Sequence, residues 1–415
     1  MEPASLYKLL EPILYIVFFL IAFGLAQSAW LYWRQVGYKG RVHWTIMEIR
    51  VPREVLRGAK AMDQFLTSLW GLLNLRWGVK ETWFDGEITR WFCFELVGSN
   101  QMTRLFVRFP TPLKHMFISM FFAAYPEVEL MECDDYVNEL PPTYAELKER
   151  NMELYGLEIY TKKADAYPIQ SYNDYEKPTG DEKGRILDPI ASVLEIVSKL
   201  KPEETIWVQL LCAPDVIGDW SWKPEAVKIL DKFKNPVDEA HSGGTGAIRF
   251  RFRSPGEDEV IKRIDDKKSK LCFETIIRML YVAPKSIYNH NTLYRGIFGF
   301  FQQFKNEYQI FKKNFPTRTK SEWFLFPFVF PARRLKWKRK VLFDEYRRRF
   351  FPEETLMGRI ANSHLLNWCF FHHTSIFSAE ELATMFHIPT NVVLTQSAME
   401  RIESKRLPSP SNLPS

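Results

Sequence analysis

From Pro12 to Trp33 the chain carries no charged side chain; the run reads PILYIVFFLIAFGLAQSAWLYW. Its only strongly polar members are Gln27 and Ser28. A helix rises about 1.5 Å per residue, so roughly 20 apolar residues cross a hydrocarbon layer ~30 Å thick. This run is long enough to do so. Trp30, Tyr32 and Trp33 stand at its end, where amphipathic rings favour the headgroup layer. Arg34, Lys39 and Arg41 follow it, whereas Lys8 with Glu2 and Glu11 precede it. An excess of Lys and Arg marks the cytoplasmic side. The expected topology is therefore single-pass, with the N-terminus outside and everything after residue 34 inside. A cleaved signal peptide is the alternative, kept open by Ala26 and Ser28. The stretch before the run is not clearly basic, however, and the run is longer than a usual signal core.

The rest of the 415 residues is long enough for two or three compact units. Hydrophobic residues make up 46% and charged residues 26%, which excludes global disorder. The cysteines are Cys93, Cys133, Cys212, Cys272 and Cys369, an odd number at wide spacings. They are expected as free thiols in a reducing compartment rather than as a disulfide framework. Cys369, His372 and His373 come closest to metal-ligand spacing, but no second ligand pair accompanies them.

Residues 44–133 alternate in a readable order. WTIMEIRVP (44–52) is strand-like, and 60–73 has apolar residues at helical spacing. RWFCFELVG (90–98) and TRLFVRFP (103–110) form two strands joined by the short link 99–101. A Met- and Phe-rich helix at 113–125 ends before Pro126, and VELMEC (128–133) is a last strand. This β-α-β-β-α-β order predicts a ferredoxin-like unit over 42–140. A second unit is expected over 150–332. Its strands are 157–164, 205–213, 272–283 and 323–330, its helices follow Asp188-Pro189 and span 291–315, and an insertion occupies 214–270. Within the insertion lie a helix near 223–234, the glycine-rich HSGGTGA (241–247), and a helix opened by Ser254 and Pro255. The fold class expected is thus α+β: one transmembrane helix, two ferredoxin-like units, then a helical segment over 333–405. That segment ends in a helix at 378–387 with a Ser378/Glu381 capping box. The tail 406–415 reads as an extended Pro- and Ser-rich end.

No sequence signature of catalysis is present. The chain has no G-x-x-x-x-G-K-[ST] loop, no G-x-S-x-G and no H-E-x-x-H. The carboxylate pairs Asp134-Asp135 and Asp265-Asp266 read as solvated charges. The formal net charge of +6 is modest, but it is concentrated. In 333–349, RRLKWKRKVLFDEYRRR, nine of seventeen residues are basic. Arg333, Arg334, Lys336, Lys338, Arg339, Lys340, Arg347, Arg348 and Arg349 are the candidate contacts for nucleic-acid phosphates or for anionic lipid, with interleaved aromatics able to stack. A solvated face or a protein-contact helix is the alternative. No cofactor, metal or catalytic residue is expected.

Several stretches together resemble a known family. WTIMEIRVPRE after a single span and AKAMDQFLTSLWG (59–71) resemble the membrane-anchored N-terminal region of bacterial proteins of conjugative DNA transfer. GIFGFFQQFKN (296–306) resembles an aromatic helix in the middle of that family. FSAEELATMFHIPT (377–390) and PSPSNLPS resemble the segment that leads, in longer relatives, into a type IV secretion coupling ATPase. The resemblance implies an inner-membrane anchor and recruitment module without its motor. A separately encoded P-loop ATPase would dock on it, DNA is a possible second partner, and a ring-forming homo-oligomer is conceivable. No catalytic residue carries over. A structural scaffold of an envelope complex, with no nucleic-acid contact, is the competing expectation.

Overall fold

In this computed structural model the described residues are 3–52, 55, 57–73, 78–175, 188–215, 222–234, 255–320, 328–353, 355–363, 370–390 and 399. The apolar run lies in one helix, α1 (Pro3–Arg41), which extends beyond both ends of the uncharged stretch. It is long and apolar enough to cross a membrane. From Ile13 to Phe23 its large apolar side chains stand open, with none of them packed away by protein.

Nine strands form a single antiparallel sheet: β1 (Trp44–Arg50), β2 (Phe92–Ser99), β3 (Met102–Pro110), β4 (Glu129–Glu132), β5 (Met152–Thr161), β6 (Thr205–Pro214), β7 (Cys272–Pro284), β8 (Phe311–Lys313) and β9 (Ser375–Ser378). Their order is β4-β1-β3-β2-β6-β7-β5-β8, and β9 pairs the start of β7 in line with β5. Burial alternates along β1, whose outer face is half open, whereas β2 and β6 are buried on both faces in the middle of the sheet. Asn100 (φ 50°) and Gln101 (φ 66°) both adopt the left-handed conformation, as a tight two-residue turn between β2 and β3 requires. The sheet closes at β8 with only three residues, a length that offers little template for further pairing.

The helices are α2 (Ala59–Leu72), α3 (Lys114–Ala124), α4 (Tyr144–Glu149), α5 (Tyr172–Tyr175), α6 (Ala191–Ser198), α7 (Lys223–Lys234), α8 (Pro255–Ser269), α9 (Phe298–Gln302), α10 (Pro331–Arg348), α11 (Leu356–Ala361) and α12 (Ala379–Met385). The main core lies on one face of the sheet, where α2, α3, α6, α9 and α12 meet Phe92, Phe94, Val208, Leu210, Ile277 and Met279. The opposite face carries a smaller core under α10, with Trp207, Leu280, Leu342, Phe343 and Tyr346. The inserted helices α7 and α8 share a separate cluster around Trp222, Ala226 and Ile264.

Three expectations in the second half need correction. The segment 333–405, expected as helical, also supplies strand β9 to the sheet. Residues 291–315 are not one long helix. A π-helical turn (Thr292–Ile297) runs into the five residues of α9, after which the chain reverses into β8. Asn306 provides the reason: its Oδ1 accepts from the backbone N–H groups of Tyr308 (2.9 Å) and Gln309 (2.7 Å), which offers the backbone an alternative to helix. The expected strand 323–330 is not the fourth of its group, because β8 fills that place beside β5. Residues 323–327 lie outside the described set, as do the expected glycine-rich stretch 241–247 and the tail 406–415.

Candidate functional site

The nine basic candidates do not form one surface. Along α10, Arg333, Lys336, Lys340 and Arg348 are exposed. Arg334, Lys338 and Arg349 are buried. Arg339 pairs with Glu153 at the start of β5, and Arg347 donates to the carbonyl of Val137. Five of the nine therefore serve the interior or its rim. The exposed Arg333, Lys336 and Lys340 follow helical spacing and share one outward stripe.

The inward side of α10 covers a row of polar residues that crosses the sheet. Glu95 on β2 is in register with Gln209 on β6, Gln209 with Arg278 on β7, and Arg278 with Glu158 on β5. All four are 0% exposed. Gln209 Nε2 donates to Glu95 (2.9 Å), Arg278 Nη1 to Gln209 Oε1 (3.4 Å), and Arg278 Nε to Glu158 (2.9 Å). The end of α10 supplies the missing countercharge. Arg349 grips Glu95 bidentately at 2.8 and 2.9 Å and also pairs with Asp135. Arg349 adopts φ 51°, a conformation costly for a side chain with a Cβ, and it is held there by these bonds. Asp135, expected as a solvated charge, is thus a partner of a buried guanidinium.

The other end of the row has the only cluster of metal-type ligands among the described residues. Glu158, Glu345 and His372 offer atoms within 4.8 Å of one another. His372 Nδ1 lies 2.9 Å from Glu158 and its Nε2 3.3 Å from Glu345. Arg278 Nη2 also reaches Glu158 at 2.9 Å and Glu345 at 3.9 Å. A guanidinium therefore already occupies the position from which a cation would balance these carboxylates. Burial opposes the charged imidazolium, but Glu158 and Glu345 override it and hold the His372 pKa up at about 10. Burial likewise opposes the Glu158 carboxylate, and His372 and Arg278 bring its pKa down to about 2. Glu95 is also lowered to about 2, because Arg349 outweighs its burial. The arrangement is a set of mutually neutralised ions, without an open coordination position. Of the residues whose spacing came closest to a metal-ligand pattern, Cys369 lies outside the described residues, and His373 stacks on Tyr160 with centroids 4.4 Å apart.

A second charged concavity, of about 280 Å³, opens between α8, α5 and α12. Its groups are also paired internally. Lys267 Nζ meets Glu381 at 3.1 Å and the carbonyl of Ile376 at 2.7 Å, Arg263 meets Asp174 at 2.9 Å, and Lys270 pairs with Glu380. Glu381 closes the expected capping box with Ser378 and also accepts from the N–H of Ile169 at 2.7 Å. Among the described cysteines Cys93, Cys133, Cys212 and Cys272 are free thiols, and burial pushes Cys212 and Cys272 up to about 12. None has the lowered pKa of a nucleophile.

The polar row was the feature hardest to foresee. Its one signal was a lone charged or amide residue in each otherwise apolar stretch: Glu95 in FCFELVG, Gln209 in TIWVQLLCA, Arg278 in TIIRMLYVA, Glu158 in LEIYT. No protein-family model matches this chain, and no curated protein matches it either.

Proposed function

We propose that the chain is a single-pass, membrane-anchored docking protein without a catalytic centre of its own. In this reading it serves a type IV secretion-like DNA-transfer system in the bacterial inner membrane by recruiting a separate P-loop ATPase. One observation carries the reading: a helix whose apolar stretch is unpacked from Pro12 to Gln27 continues into an α/β body whose buried charges are spent on one another. Such a body offers surfaces rather than chemistry. The exposed stripe Arg333, Lys336 and Lys340 lies on the half of α10 that packs near Glu153, at the start of β5. The anchor instead meets the opposite ends of the strands, at Trp91, Pro214 and Glu274. A stripe on the far end from the bilayer favours a soluble partner or DNA over leaflet lipid.

We further infer that the body comprises two ferredoxin-like units joined edge to edge. The order β4-β1-β3-β2 repeats as β8-β5-β7-β6, and the two sets meet where β2 pairs β6. The engagement of five of the nine basic residues inside the fold favours a second reading, a scaffold that touches no nucleic acid. Recovery of the full-length protein from its membrane in mild detergent, with mass spectrometry of its companions, separates the two. A Walker-motif ATPase is the expected companion. Envelope proteins alone, or none, would overturn the recruitment role.

A further inference from the structure

The body does not simply hang from the end of α1; it grips the helix well before its last residue. On one face of α1 the N–H of Met357 donates to Ser28 Oγ (2.9 Å), and Glu353 pairs with Lys39 (2.9 Å). On another face Trp30 Nε1 donates to the carbonyl of Trp83 (2.8 Å), and Arg41 reaches the carbonyl of Asp85. Two glycines make the approach possible. A Cβ on Gly358 would lie 2.9 Å from Tyr32 Cδ2, and one on Gly86, which has φ +69°, would lie 2.4 Å from the backbone of Arg34. The gripping elements are α11 and the π-helical turn Glu81–Asp85.

The level of this grip along α1 is what matters. A bilayer's hydrocarbon layer takes up about 20 residues of helix, so a span that begins at Pro12 reaches the headgroups near Ser28 to Tyr32. Elements pressed against α1 at that height share its depth. Their outward sides carry large apolar groups: Leu356 and Ile360 of α11 are 55% and 49% exposed, Val79 just before the turn 74% and Phe84 within it 59%, with Glu81 and Asp85 also open on the turn. Exposed Lys80 and Arg359 flank them, next to open Trp30 and Trp33. Apolar groups rimmed by basic and indole side chains suit the boundary between acyl chains and phosphates.

We propose that α11 and the π-helical turn are two shoulders immersed in the headgroup–acyl boundary of the bilayer, fixing the height and tilt of the body. The proposal rests on the anchor reading above. It is tested on the full chain in nanodiscs of phosphatidylcholine and phosphatidylglycerol. Cys133→Ser and Cys369→Ser leave only Cys93, Cys212 and Cys272, all buried, as thiols. Single spin labels then go on Phe84→Cys, Ile360→Cys, Phe19→Cys in the span and Glu149→Cys at the end of α4. Accessibility to oxygen, which partitions into lipid, is compared with accessibility to a water-soluble nickel complex. The expected oxygen-to-nickel ratio at 84 and 360 lies severalfold above that at 149 and below that at 19. Ratios at 84 and 360 equal to that at 149, with 19 still in lipid, would overturn the shoulders and leave the anchor standing. Low accessibility to both reagents would mean that protein covers these sites, a second copy included, and would overturn the lipid assignment. A water-like value at 19 would overturn the anchor itself, and the shoulders with it.

Discussion

Arg349 illustrates how one side chain can be fixed by the cost of losing it. Its guanidinium neutralises Glu95 in the middle of the sheet, where no water reaches. A buried pair adds little over an apolar replacement, but stripping one partner leaves the other charged and unpaired. Arg349→Ala should therefore destabilise the fold by about 3–5 kcal/mol, measured by chemical unfolding in detergent. The same residues set the pH window. Glu95 and Glu158 have folded pKa values of about 2, below the ordinary ~4.3 of an unfolded glutamate. Their contribution is present above about pH 4.3 and is lost as pH falls towards 2. His372 has a folded pKa of about 10 against an unfolded value near 6.5. Its contribution is fully present below about pH 6.5 and fades as pH rises towards 10. His372→Gln should flatten that alkaline decline in thermal unfolding and shrink the Glu158 part of the acid limb, which His372 helps to create, while the Glu95 part stays in place.

At the scale of elements, period and punctuation made most of the first half legible. The strand-like run 44–52 marked β1 and the short link 99–101 placed the hairpin; late in the chain, the capping box fixed the start of α12. The failures have physical causes. The aromatic stretch after Thr292 has helical composition throughout, and only the side chain of Asn306 tells the backbone to leave the helix. Strand β9 is four residues long, too short for a period, and exists because β7 leaves its first residues unpaired on that side. Helix α10 was legible as a helix, but its composition could not say which cations turn inward, since nothing local marks Glu95 or Glu153 as their partners. This sorting makes a prediction. Arg333→Glu, Lys336→Glu and Lys340→Glu together touch only the exposed stripe, so stability should change by no more than about 0.5 kcal/mol per site. If the stripe meets DNA phosphates, affinity should drop and the log–log salt slope should shrink by roughly 3 in a fluorescence-anisotropy titration. An unchanged slope would exclude it as a phosphate contact.

At the scale of the whole molecule, the seam between β2 and β6 joins the halves by a continuous ladder from Phe92↔Cys212 to Ser99↔Thr205. Phe386, just after α12, packs on Phe94 of β2, and β9 closes on β7. The body should therefore unfold in one cooperative transition, with tryptophan fluorescence and far-ultraviolet circular dichroism giving the same midpoint. Two separated midpoints would show that the halves are independent. The polar row also has a consequence for synthesis. Glu95 leaves the ribosome 254 residues before the arginine that neutralises it. At the ~5–20 residues per second of translation, the anchor is made and β2 waits on the order of 10–50 s with an unmatched charge on a strand otherwise ready to pair. The buried row can therefore be completed only after residue 349 has been made, so the middle of the sheet is among the last parts of the fold to settle, long after the N-terminal helix has emerged.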